Sequence, residues 1–65
     1  MKVKIMNYMS KTPIGTRVST GHHCPESGVW KVDSLVDSTT APIAKNNVMP
    51  PFRGKAVFWI LIAYA

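Results

Sequence analysis

The amino-acid sequence predicts an all-β fold, a small antiparallel barrel or meander of four to five strands. Three observations carry that prediction. The last ten residues, Ala56 to Ala65, read A-V-F-W-I-L-I-A-Y-A and form the most apolar run in the chain, dense in β-branched and aromatic side chains. Shorter segments of similar character recur upstream, set apart by Gly, Pro, Asn and Asp. No segment sustains apolar residues at helical spacing.

In chain order, Met1 to Met9 alternates, with Val3 and Ile5 on one side and Lys2 and Lys4 on the other. That is an edge strand protected by lysines, or a flexible terminus over 1–11. Ser10 to Gly15 holds Pro13 and Gly15 and reads as a loop. Gly15 to Thr20 is a short strand, and Val29 to Val36 a longer one with Trp30 and Val32 on alternate positions. The two are expected as arms of a hairpin. Gly21 to Gly28 forms its tip, where Pro25 removes a donor and the two glycines permit positive φ. Asp37 to Pro42 is a loop, and Ile43 to Lys45 pairs briefly before a reversal at Asn46-Asn47. Val48 to Gly54 then runs extended and poor in donors into the terminal strand. In that strand Val57, Trp59, Leu61 and Ala63 alternate with Phe58, Ile60, Ile62 and Tyr64, so both faces are apolar. Such a strand needs cover on both faces.

Sixty-five residues make one small β domain, 1–65, and a chain of that size buries only about 60% of its unfolded surface. Disulfides, metals or oligomerisation are the usual supplements. The single cysteine, Cys24, excludes an internal disulfide and fits a reducing compartment. Self-association through Phe58, Ile60, Ile62 and Tyr64 is therefore the expected route, making the protein partner a second copy. The start of the chain has no continuous apolar core of signal-peptide length, and the terminal run is about half a membrane span. A cytoplasmic protein without a membrane span is expected. A specialised export machine, which needs no cleavable leader, stays open.

The formal net charge is +5, but the eight Lys and Arg residues are scattered and read as solvated surface. Trp30, Lys31, Phe52 and Arg53 offer a stacking and charged platform for single-stranded nucleic acid or glycan, weighed against the stronger reading of the aromatics as core. His22, His23, Cys24 and Glu26 hold the only concentration of ligand and nucleophile atoms. Adjacent histidines diverge and no second ligand pair follows, so neither zinc nor any other cofactor is expected. Cys24 has no identifiable oriented base, so no catalytic residue is assigned.

The stretch Gly21-His22-His23-Cys24-Pro25-Glu26-Ser27-Gly28-Val29-Trp30, spaced G-x-x-C-P-x-S-G-x-W, is followed by Met49-Pro50-Pro51 and Val57-Phe58-Trp59. Together these resemble short bacterial domains of unassigned activity associated with type VI secretion genes and effector or spike-tip proteins. The resemblance spans roughly Arg17 to Trp59, with Val29 standing where the pattern has a second tryptophan. It brings no catalytic residue. The function expected is a non-catalytic protein-interaction or assembly module, an accessory of a bacterial secretion or toxin system, rather than an enzyme.

Overall fold

The computed structural model describes residues 11–65, and the edge strand expected over Met1 to Met9 lies outside them. Four strands form: β1 (Arg17–Ser19), β2 (Gly28–Val32), β3 (Thr40–Ile43) and β4 (Phe58–Tyr64). All pairings are antiparallel, in one sheet of order β1-β4-β2-β3. The all-β class holds, and no helix occurs among the described residues. The sheet is open, with β1 and β3 at its two edges, so it is not the expected barrel. A meander is excluded too, because the last strand enters the middle.

That insertion corrects the hairpin expected from Thr16–Thr20 and Val29–Val36. The two arms are separated by β4, whose Trp59 stands opposite Val18 on one side and Val32 on the other. A central strand has both backbone edges paired, which suits the most apolar segment. Arg17 and Ser19 leave the edge to the more polar one. The second arm also ends earlier than expected, at Val32, and Leu35 and Val36 lie fully in solvent on the following loop.

The core occupies one face of the sheet. Trp30, Val32, Ile43, Trp59 and Leu61 are buried there, with Val18 and Ala41 packed alongside. The cover comes from two loops that pair with each other. Gly21 N donates to Met49 O (3.0 Å), Met49 N to His22 O (2.8 Å), Cys24 N to Asn47 O (2.7 Å) and Asn46 N to Cys24 O (2.7 Å). This ribbon delivers Cys24 and Met49 into the core. Asn46 turns it at φ 77°, as the asparagine pair predicts. Both indoles tie the loops down: Trp59 Nε1 donates to Pro50 O (2.8 Å), and Trp30 Nε1 to Glu26 O (3.1 Å). Each buried N–H is thereby satisfied while its ring fills the core.

Three local features depart from expectation. Gly28 does not adopt positive φ as Gly21 does; instead, a Cβ there would overlap the Ala63 carbonyl oxygen and come within 2.9 Å of Leu61 Cδ1. The run to Gly54 is not extended throughout. Phe52 and Lys55 exchange backbone bonds of 2.9 and 3.1 Å around Arg53-Gly54, both at positive φ, a tight two-residue turn. Pro42, expected in a loop, lies inside β3. Val32 N donates to Thr39 O, so by antiparallel alternation Pro42, opposite Val29, takes a non-bonded position. Its missing N–H faces away from the sheet and no ladder bond is lost.

Candidate interaction surface

β4 sends Trp59 and Leu61 into the core and leaves Phe58 47% and Ile62 42% exposed, with Ile60 half-buried. The exposed side is the second sheet face. Its neighbours follow from register: Arg17 and Lys31 stand opposite Ile60 on β1 and β2, and Ser19 stands opposite Phe58. Between Val29 and Trp30 the pairing advances one residue on β2 and two on β4, so Ile62 is the extra residue of a bulge.

One end of this face is clamped by residues that sequence reasoning did not connect. The Arg17 guanidinium lies 4.4 Å from the centre of the Phe58 ring, and its Nη2 is 2.8 Å from Asp33 Oδ2. Asp33 N in turn donates to Phe58 O (2.8 Å). A side chain from β1 thus reaches across β4 to the residue after β2, with the ring beneath it. Both charged groups are well exposed, so the ion pair contributes less than about 1 kcal/mol. Its consequence is shape: one side of Phe58 is covered, and the open apolar strip is centred on Ile60 and Ile62. Past the bulge, Tyr64 stands opposite Gly28 and is engaged within the chain. Its hydroxyl donates to Thr12 O (2.8 Å) and Lys11 Nζ sits 4.3 Å from its ring centre.

Of the expected interface residues, Phe58, Ile60 and Ile62 therefore present apolar surface, while Tyr64 anchors residues 11–12. The expected binding platform does not assemble. Trp30 is completely buried and has no free ring face for a base or a sugar. Lys31 lies opposite Ile60, on the uncovered side. Phe52 packs on the core side, edge-on to Trp59 at 6.4 Å, with Arg53 5.0 Å from its ring. Lys31 and the Phe52–Arg53 pair are thus on opposite faces of the sheet.

The His-Cys stretch also disperses. Cys24 is in the core, its Sγ donating to Glu26 O (3.1 Å), whereas Glu26 Oε1 accepts from Thr12 N (3.0 Å). His23 is exposed and bridges to Val48, and His22 bonds Ser19. Among the described residues no three His, Cys, Asp or Glu side chains meet in a way that would hold a metal ion. Among the described residues no helix is long and apolar enough to cross a membrane. Comparison with protein-family models, curated proteins and solved structures finds no match.

Proposed function

We propose that this protein is a non-catalytic assembly module whose open sheet face docks against the same face of a second copy. The observation that carries the reading is the pair Ile60 and Ile62, apolar side chains on the central strand with no covering layer among the described residues. Two such faces can stack as a sandwich about 10 Å apart. Edge-to-edge association is the poorer route, because Pro42 blunts the outer edge of β3 and β1 is three residues long. A bacterial secretion or toxin apparatus is the setting suggested by the resemblance around Gly21 to Trp30.

The expected strength is modest. Burying roughly 300 Å² of apolar surface in all, half on each subunit, yields on the order of 7 kcal/mol at about 25 cal/mol/Å². Association costs a similar amount in lost rotational and translational freedom. Dimerisation should therefore depend on concentration, and each subunit should stay folded on its own one-sided core. Light scattering across a concentration series tests this. Wild-type mass should climb from one chain towards two, with little effect of added salt, and Ile62→Lys should remain folded as a single chain. A wild-type mass of one chain up to about millimolar concentration, far weaker than specific interfaces generally are, would reject the dimer.

A further inference from the structure

A groove of about 360 Å³ opens beside β1, lined by Arg17, Val18, Ser19, His22 and Phe58. It gathers a guanidinium, a hydroxyl and an imidazole from the strand and the turn after it. His22 N donates to Ser19 O (3.2 Å), and Ser19 Oγ shares a 2.7 Å hydrogen bond with His22 Nδ1. The direction of that second bond depends on which ring nitrogens carry protons. When the imidazole is neutral with its proton on Nε2, Nδ1 accepts from the serine hydroxyl, whose oxygen then offers only lone pairs. When the ring is doubly protonated, Nδ1 donates to Ser19 Oγ, the hydroxyl proton is free to turn outward, and Nε2 becomes a donor as well. Arg17 gives one nitrogen to Asp33, and a guanidinium carries five donors in all.

We infer that this groove binds a tetrahedral oxyanion, a sulfate or phosphate group, through the Arg17 guanidinium, the Ser19 hydroxyl and the His22 imidazole. No acidic side chain lines it, and the net charge of +5 concentrates anions at the surface. This inference does not rest on the dimer, whose contacts centre on Ile60 and Ile62.

Sulfate is the probe. Titration of the full chain is followed by NMR on the His22 ring and the 17–22 amides, with chloride at matched ionic strength as control. The expected result is a saturable shift confined to this groove. His22→Gln should weaken it at least fivefold, and Arg17→Gln should abolish it. Ile62→Lys, made for the dimer test, should bind sulfate as wild type does. Inorganic phosphate against O-phosphoserine separates the sources: equal affinity assigns a free ion, tighter binding of the ester assigns an esterified phosphate. A shift that chloride reproduces, that spreads over the other cationic residues, or that survives His22→Gln unchanged overturns the site. If Arg17→Gln does not fold, the His22→Gln comparison decides alone.

Discussion

Gly28 shows how much a single position can be constrained by a neighbour distant in sequence. Its backbone is unstrained, yet a methyl group there would press on the Ala63 carbonyl, which β4 cannot withdraw without breaking its pairing to β2. Gly28→Ala is therefore expected to destabilise by about 1–3 kcal/mol, the range of overpacking in a filled core. A denaturation midpoint equal to wild type would show that the strands part easily at this point. Trp30 is the opposite case, a large side chain whose removal empties the centre. Trp30→Ala should lose about 3–5 kcal/mol, together with the tie to Glu26 O, and leave the chain largely unfolded at room temperature. A folded mutant with a near-native thermal midpoint would mean that the loops can collapse into the gap.

Among the elements, β3 is the one whose sequence looks least like a strand and whose position explains why. It needs ladder bonds on one side only, and Pro42 occupies a position whose N–H would face solvent. Pro42→Val should keep the fold, since no internal bond changes, and should restore an outward donor to the edge. The expected outcome is faster aggregation of the folded protein, seen as rising scattering over hours, with an unchanged far-ultraviolet spectrum. Unaltered solubility would show that the edge is protected by something other than proline. The same element marks where sequence reading falls short. The Thr40–Pro42 segment carries loop residues, and its strand character comes from Gly28 to Lys31 alongside it. The turn at Arg53-Gly54 was hidden for a related reason. Arginine is not a residue that announces positive φ, and the Phe52–Lys55 pairing forces it there.

At the level of the whole molecule, one sheet and one layer of paired loops enclose a single-sided core. Its fully buried side chains, Trp30, Met49, Leu61, Val32 and Cys24, come from β2, β4 and the loop ribbon. That arrangement gives the described residues a core of their own, and among them no second layer covers the other face of the central strand. Pairing on both edges of β4 and cover on one of its faces are supplied from within the chain, and the proposed dimer is what would cover the other face.

Composition and alternation were enough to show an all-β chain dominated by its terminal strand, apolar on both sides, with a reversal at Asn46. Those properties depend on side chains two residues apart and on the local preferences of Gly, Pro and Asn, all visible along the chain. The place of β4 between β1 and β2 was not visible, nor was the choice of which face to cover. The Arg17–Phe58–Asp33 clamp and the burial of Trp30 were equally hidden. Each depends on which distant segments satisfy one another's backbone bonds and exclude water together. A one-dimensional pattern states that a face must be covered; packing in three dimensions selects what covers it.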